Sequence, residues 1–294
     1  MPTIAFIGLG NMGGPMAANL VKRGHVVRGV DLSKPNLEAA AKRGVTLFAS
    51  AAEAAIGADA VITMLPAGKD TIAVYSKSGI LEAASKGTVF IDCSTIDVAS
   101  ARTAHDLATK AGMLSVDSPV SGGVGGAEAA TLTLMAGGSK AAFEQAKPFL
   151  ECVGKKIVHC GDAGAGQAAK ICNNMILGIT MIGVSESFVL AEKLGLSKEA
   201  LFEVASTSSG QCWALTSYCP VPGPVPASPA NNGYKPGFAS ALMVKDLKLA
   251  QEAAAASGAT TPLGAMAAQL YALHAANGGA ATDFSGIIEM IRGR

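Results

Sequence analysis

Phe6-Ile7-Gly8-Leu9-Gly10-Asn11-Met12-Gly13 sets a Gly-x-Gly-x-x-Gly turn directly after an apolar, β-rich run and directly before a stretch of helical spacing. Three glycines at this spacing say little alone; between a strand and a helix each has a task. Gly8 permits the tight turn, Gly10 lets a pyrophosphate approach the backbone, and Gly13 lets the helix pack close to the sheet. Asn11 and Met12 open the helix, where unpaired N–H groups and the helix dipole favour phosphate. The next strand runs into Asp31, about 20 residues on, where an acid can accept hydrogen bonds from the adenine ribose hydroxyls. A carboxylate there repels a 2′-phosphate, so NAD is expected rather than NADP, with Arg28, Ser33 and Lys34 near enough to soften the preference.

Outward from this turn, short apolar runs alternate with Ala-rich helical stretches. Strands are expected at Thr3–Ile7, Val26–Val30, Ala60–Met64, Val89–Asp92, Leu114–Asp117, Thr131–Ala136 and Lys156–His159. Helices are expected at Met12–Arg23, Asn36–Arg43, Ala51–Ile56 after a Ser50 cap, and Val98–Lys110. Repeated β–α alternation gives an α/β fold with a Rossmann-like, doubly wound parallel sheet. The glycine-rich run Gly161–Gly166 reads as a boundary, placing an NAD-binding domain at 1–163 and an all-helical domain at 164–294. Gln167–Lys193 is a helical pattern long enough for an interdomain spine, followed by helices at Lys198–Ala205, Ala239–Ala256, Leu263–Ala276 and Phe284–Ile291. Cys219–Pro236 is too rich in Pro for a regular element and is expected to be an extended surface or lid-like loop.

Composition narrows the function classes. Of 294 residues 50% are hydrophobic and 15% charged, enough apolar surface for a large core. A net charge of +1 gives no electrostatic footprint for nucleic acid or an anionic membrane. Mean hydropathy is +0.37, but the longest apolar window, Met175–Val184, falls short of the roughly 20 residues of a spanning helix. The apolar start runs straight into the glycine turn and does not read as a signal peptide. Six cysteines lie at scattered positions without CxxC or zinc-site spacing, so no metal is expected and a reducing compartment is the default. His25, His105, His159 and His274 suggest no hydrolase triad.

Other strand ends extend the groove. Met64-Leu65-Pro66 and Ser94-Thr95 lie beyond carboxyl ends of expected strands, where ligands of open sheets bind. Pro66 as a strand stop, and Ser94 or Thr95 as a helix cap, remain open readings. In Asp117-Ser118-Pro119-Val120-Ser121-Gly122-Gly123 the Ser121, Gly122 and Gly123 donors suit a carboxylate, an ordinary turn being the alternative. Gly125 and Gly126 suggest that this loop is long. Gly166, Lys170, Asn174 and Gly178 recur every fourth residue on one face of the long helix. An amine and an amide flanked by glycines suggest a polar hole. An amine withdrawn from water gives up its proton more readily, which suits it to accept one from a hydroxyl; a lysine snorkelling to the surface is the alternative. Trp213 and Phe238 are candidate pocket walls, Trp213 being equally readable as core.

These residues resemble the β-hydroxyacid dehydrogenase family across essentially the whole chain. The likeness rests on Phe6–Gly13, Asp117–Gly123, Gly164–Asn174 and Leu242-Met243-Val244-Lys245-Asp246-Leu247, with Cys212-Trp213 to Tyr234 resembling its bacterial hydroxyisobutyrate branch. The resemblance implies NAD on Gly8, Gly10, Gly13, Asp31, Leu65, Pro66 and Thr95. It implies a substrate carboxylate on Ser121–Gly123, Lys170 as acid–base residue and Asn174 as its orienting partner. Lys245 would reach the cofactor or substrate across a cleft, an assignment that the family alone supplies. The implied reaction is NAD-dependent oxidation of (S)-3-hydroxyisobutyrate to methylmalonate semialdehyde, a step of valine degradation. Sister enzymes act on L-serine, tartronate semialdehyde or succinic semialdehyde, and a non-catalytic NAD-binding scaffold is a third reading. A bacterial cytoplasmic protein assembled from two or four copies is the expectation.

Overall fold

The computed structural model describes residues 1–293. The chain forms two compact units, Met1–Lys170 and a second that begins at Ile171. The division lies inside a long helix, whereas the sequence sets its boundary just ahead of that helix.

The first unit is built on one sheet of nine strands: β1 (Thr3–Ile7), β2 (Val26–Val30), β3 (Thr46–Leu47), β4 (Ala60–Thr63), β5 (Val89–Asp92), β6 (Leu114–Asp117), β7 (Val120–Ser121), β8 (Leu132–Gly137) and β9 (Gly154–Gly161). Their order is β3-β2-β1-β4-β5-β6-β8-β7, with β9 paired to β8. Pairing is parallel from β3 through β6. Beyond β6 the sheet is mixed, because β8 runs antiparallel to both β6 and β7. The expected all-parallel sheet is therefore corrected at one edge, a common ending for doubly wound sheets. Side chains alternate along the central strands. Ile4, Phe6, Ile62 and Ile91 pack on one face while Ala5, Ile7, Val61 and Phe90 pack on the other. Both faces are buried, which is why these strands read as continuous apolar runs.

Eight helices cover the sheet: α1 (Gly13–Lys22), α2 (Lys34–Ala41), α3 (Ala51–Ala55), α4 (Gly68–Lys77), α5 (Ile80–Ala83), α6 (Val98–Lys110), α7 (Gly123–Ala129) and α8 (Lys140–Leu150). Ser50 caps α3 through the Glu53 N–H, as its position suggests, and Asp97 caps α6 through the Ser100 N–H. The sequence reading lacks α4, α5, α7 and α8. Pro148 lies inside α8 and reads locally as a breaker, but it falls in the last turn, where Phe149 and Leu150 are buried on the sheet.

One buried acid ties strand ends together. Asp92 Oδ1 accepts from Thr63 Oγ1 at 2.7 Å, from Ser94 Oγ at 2.5 Å and from the Ser94 N–H at 3.2 Å. Oδ2 has no hydrogen-bond partner among the described residues. Burial outweighs these hydrogen bonds and pushes the Asp92 carboxyl from 3.8 up to about 6. A raised folded-state value means that this group's contribution to stability is full below about 4 and is lost as pH rises through about 6. Asp92→Asn keeps the three acceptor contacts and removes the charge. We expect it to match the parent at pH 4 and to exceed it at pH 8 by an amount on the order of 1–3 kcal/mol. Urea unfolding at the two pH values checks this; equal differences at both would contradict it.

The second unit is helical: the remainder of α9 (Ala165–Lys193), then α10 (Lys198–Thr207), α11 (Trp213–Thr216), α12 (Ser240–Ser257), α13 (Pro262–Ala276) and α14 (Ile287–Ile291). Ser197 caps α10, Gly258 at φ +72° closes α12, and Pro262 opens α13. Met181, Met243, Leu247, Tyr271, Phe284 and Ile287 form its core. Among the described residues only α9, with a mean hydropathy of 1.5 over 18 residues, is long and apolar enough to cross a membrane, as the core helices of many proteins are. Asn174, Met181, Ser185 and Phe188 are buried within the protein. The segment Cys219–Pro236 is neither extended nor wholly at the surface. Cys219, Val221, Ser228 and Ala230 are buried, Ser228 Oγ donates to the Cys219 carbonyl at 2.6 Å, and Pro229–Asn232 forms a 3-10 turn. Asn231 Nδ2 donates to the Val225 carbonyl at 2.8 Å, while its Oδ1 accepts the Gly223 N–H at 2.9 Å. Side chains thus supplement the few backbone pairs of this Pro-rich segment, such as Ser228 N–H to the Val225 carbonyl and Tyr234 N–H to the Pro229 carbonyl, both at 3.0 Å.

Candidate active site

The strand order reverses its winding between β1 and β4, and ligands of open sheets bind beyond the carboxyl ends at such a reversal. Gly8–Gly13 leave β1 there, Met64-Leu65-Pro66 leave β4, and Ser94-Thr95 follow β5. Gly8 has φ +97°, and a Cβ on it would lie 2.3 Å from the Met64 carbonyl oxygen. A Cβ on Gly13 would lie 1.9 Å from the Gly8 carbonyl oxygen. Gly10 is different. The nearest atom to an added Cβ is Asn36 Nδ2 at 3.9 Å, so its backbone faces open space. Among the described residues α1 has neither a side-chain cap nor an acid in its first turn, which suits its N-terminus to an anion.

Asp31 stands half-buried beside this turn. Its Oδ2 accepts the Leu9 N–H at 2.6 Å, and its Oδ1 accepts the Ser33 N–H at 2.7 Å and Asn36 Nδ2 at 3.2 Å. The carboxylate therefore pins the glycine turn as well as offering its remaining lone pairs to a diol. Arg28 is occupied elsewhere: it donates to the Ala54 and Ile56 carbonyls at 3.3 and 2.5 Å and lies over the Phe48 ring. It leaves the set of cations that could offset Asp31. Open backbone at Gly10 beside a fixed acid fits a dinucleotide with pyrophosphate over the turn and ribose on Asp31. Ser94 departs from its expected role. Its hydroxyl is fully buried, donates to Asp92 and accepts the Leu65 N–H at 2.8 Å, so it supports the groove from beneath.

Ser121 lies half-buried in β7, and Gly122 and Gly123, at φ +135° and +62°, turn the chain into α7. The long loop expected through Gly125 and Gly126 is instead this helix, with Gly122 at its N-cap.

The N-terminus of α9 is clamped to the sheet. Asp117 Oδ1 accepts the Gly164 N–H and Oδ2 the Gln167 N–H, both at 2.8 Å, and His105 Nε2 lies 3.0 Å from Oδ1. A Cβ on Gly166 would lie 2.2 Å from the Met135 carbonyl oxygen. Gly166 is thus a point of close approach and not one side of a hole. Gly178 is likewise packed, with Leu247 and Met243 side-chain atoms 3.1–3.4 Å from an added Cβ. The glycine stripe reports packing; the polar residues on it are the informative ones. Lys170 is 6% exposed and Asn174 2% exposed, one turn apart on α9.

Asn174 Nδ2 donates to Asp246 Oδ2 at 2.5 Å, and its Oδ1 accepts from Asn173 Nδ2 at 2.9 Å. Asp246 is only 4% exposed. In sequence it reads as no more than the charged neighbour of Lys245, which is half-buried on α12. Asp117, His105 and Gln167 were likewise without a stated role; only an acid at a strand end offered any signal. Trp213 is 51% exposed at the start of α11 and stacks on Tyr218 at 4.9 Å, so it is not core. Tyr218 stacks on Phe284 at 5.3 Å, and Phe238 meets Phe284 edge-on at 5.8 Å. No group of three metal-ligating side chains occurs among the described residues.

Comparison with known proteins identifies the family. Residues 3–161 match the family model for the NAD binding domain of 6-phosphogluconate dehydrogenase, and 164–291 match that for NAD-binding of NADP-dependent 3-hydroxyisobutyrate dehydrogenase. A probable 3-hydroxyisobutyrate dehydrogenase of Mycobacterium tuberculosis is 56% identical over 100% of this chain and 99% of its own length. An NAD-dependent L-serine dehydrogenase of Pseudomonas aeruginosa is 46% identical over 97% of this chain and 96% of its own. The solved structure of the Mycobacterium tuberculosis 3-hydroxyisobutyrate dehydrogenase with L-serine superposes with a TM-score of 0.96 at 56% identity, covering 99% of each chain. With both halves matched and relatives aligned over the full length, the chain belongs to the 3-hydroxyisobutyrate dehydrogenase family of β-hydroxyacid dehydrogenases, NAD-binding oxidoreductases.

Proposed function

We propose that this protein oxidises (S)-3-hydroxyisobutyrate to methylmalonate semialdehyde, with NAD as acceptor, in valine breakdown. The observation that carries the reading is Lys170, an amine 6% exposed on a helix whose first turn is tied to Asp117 at the end of β6 and to Ser94 just after β5. Gly10, Asn11, Met12 and Gly13 would hold the pyrophosphate, Asp31 the ribose, and Met64, Leu65, Pro66 and Thr95 the rest of the dinucleotide. Held there, the dinucleotide would supply the hydride acceptor for the carbinol carbon. Ser121, Gly122 and Gly123 hold the substrate carboxylate by hydrogen bonds. Lys170, as the neutral amine, takes the hydroxyl proton as the carbonyl forms, and as the ammonium it returns that proton in the reverse direction. Asn174, held by Asp246, orients the substrate oxygen, and Lys245 adds positive charge toward the substrate or cofactor. Trp213 and Phe238 wall the pocket.

L-serine is the second reading, favoured by the serine dehydrogenase at 46% identity and by the L-serine in the solved relative. It shares the carboxylate and the β-hydroxyl, and differs by an ammonium where hydroxyisobutyrate carries a methyl. Initial rates of NADH formation with 3-hydroxyisobutyrate, L-serine and 3-hydroxypropionate test the assignment. The expected order puts 3-hydroxyisobutyrate first in kcat/KM; serine first would transfer the name, and no turnover with any would restore the scaffold reading. With Asp31 facing the ribose, NAD is expected to exceed NADP in kcat/KM by at least about 100-fold, since burying like charges together costs several kcal/mol. Equal values would remove that role from Asp31.

A cytoplasmic setting and an assembly of two or four copies complete the proposal. Six free cysteines suit a reducing compartment. Exposed Ile176 and Leu190 on α9, Leu194 in the turn after it, and Leu263, Met266 and Leu273 on α13 supply apolar surface for association.

A further inference from the structure

We infer that Gln167 is a positioning residue that locks the cofactor-side loop after β5 to the helix bearing Lys170; this rests on Lys170 being the acid–base group. Gln167 is fully buried. Both ends of its amide are used: Nε2 donates to the Ser94 carbonyl at 2.7 Å, and Oε1 accepts the Ile96 N–H at 3.1 Å. Those two backbone groups flank Thr95, so a single side chain fixes the peptide on either side of a residue assigned to the dinucleotide groove. Its own N–H is held by Asp117 Oδ2, and the other oxygen of that carboxylate, Oδ1, meets His105 Nε2 and the Gly164 N–H. Lys170 follows within one helical turn.

A packing role alone does not require this chemistry. A buried amide that satisfies a donor and an acceptor on one loop is specific in direction and in length, and an apolar residue of the same volume would fill the space. Rigid elements placed by such hydrogen bonds hold reacting groups at fixed separation, and a misplacement of about 1 Å can cost about 100-fold in rate. Gln167 thus sets how far the loop carrying Thr95 stands from the second turn of α9. The cost of its loss falls on alignment in the transition state more than on substrate binding.

Gln167→Met keeps the volume and removes both hydrogen bonds. Per folded enzyme, kcat for hydroxyacid oxidation is expected to fall about tenfold to 100-fold, with KM for the hydroxyacid changed less than threefold on the order given by an interaction confined to the transition state. The kcat–pH profile should also move, because the amine and the cofactor loop no longer keep their spacing. A variant with parental kcat and pH profile but a lower Tm would overturn the inference and leave Gln167 purely structural. Gln167→Asn keeps the amide but is one methylene too short for both contacts; should the Met variant not fold, the same loss in the Asn variant supports the inference and parental kinetics overturn it. Lys170→Ala, assayed alongside, separates the two ideas. If it retains turnover the acid–base reading itself fails, whereas loss in Lys170→Ala with none in Gln167→Met rejects only the positioning role.

Discussion

Lys170→Ala is expected to fold, to bind NAD, and to oxidise 3-hydroxyisobutyrate on the order of 10²–10⁴ times more slowly than the parent. Ala is the best helix former, and the helix is held by Asp117, Gln167 and the close seat of Gly166, none of which the substitution touches. The dinucleotide contacts lie on other strand ends, so calorimetric titration with NAD should give a dissociation constant near the parental one. What disappears is the group that receives the hydroxyl proton. Lys170→Arg sharpens the test, because a guanidinium keeps the positive charge but does not deprotonate in proteins. An equally large loss in the Arg variant identifies proton transfer as the missing function; recovery of rate by Arg would identify charge alone.

The second large effect concerns the turn that opens the chain. Gly13→Ala forces a Cβ to within 1.9 Å of the Gly8 carbonyl oxygen and 3.1 Å of Phe6 Cε1. The first contact is with backbone of the same turn and the second with a fully buried ring, so neither gives way cheaply. A loss of about 3 kcal/mol or more is expected, seen as a large drop in Tm together with at least tenfold weaker NAD binding. Gly10→Ala makes the contrasting case. Its Cβ meets only an amide nitrogen at 3.9 Å, so stability should change by less than about 0.5 kcal/mol while NAD binding weakens, the added methyl standing where the pyrophosphate approaches. Thermal melts and NAD titrations of the two variants separate packing from ligand contact. Parental affinity in Gly10→Ala would move the pyrophosphate off this turn.

Those glycines also show how much of the molecule was readable. Gly8 and Gly13 are required by contacts within one strand–turn–helix unit, and such local demands are written in consecutive residues. The central strands were legible for the same reason: Ile4, Phe6, Ala5 and Ile7 are buried on alternate faces, which leaves an uninterrupted apolar run. β3 and β7 have two residues each, too few for any periodicity, and they exist because a neighbouring strand presents its edge. α8 carries Pro148, which a local rule marks as a breaker, while burial of Phe149 and Leu150 is a contact that no local rule supplies. At the site, Lys170 and Asn174 stood out by spacing. Asp246 and Gln167 did not, because their meaning lies in partners distant in sequence, Asn174 for one and the Ser94–Ile96 backbone for the other. The glycines around Lys170 misled in detail: spacing suggested a hole, and packing fills it.

The most direct measurement is a crystal structure of the abortive complex with NADH and (S)-3-hydroxyisobutyrate, in which hydride transfer cannot proceed. Lys170 Nζ is expected about 2.6–3.2 Å from the substrate hydroxyl oxygen, with the carboxylate on the Ser121–Gly123 donors. An amine turned away from that oxygen, with a different side chain or a solvent path in contact with it, would contradict the assignment of Lys170 as the acid–base residue.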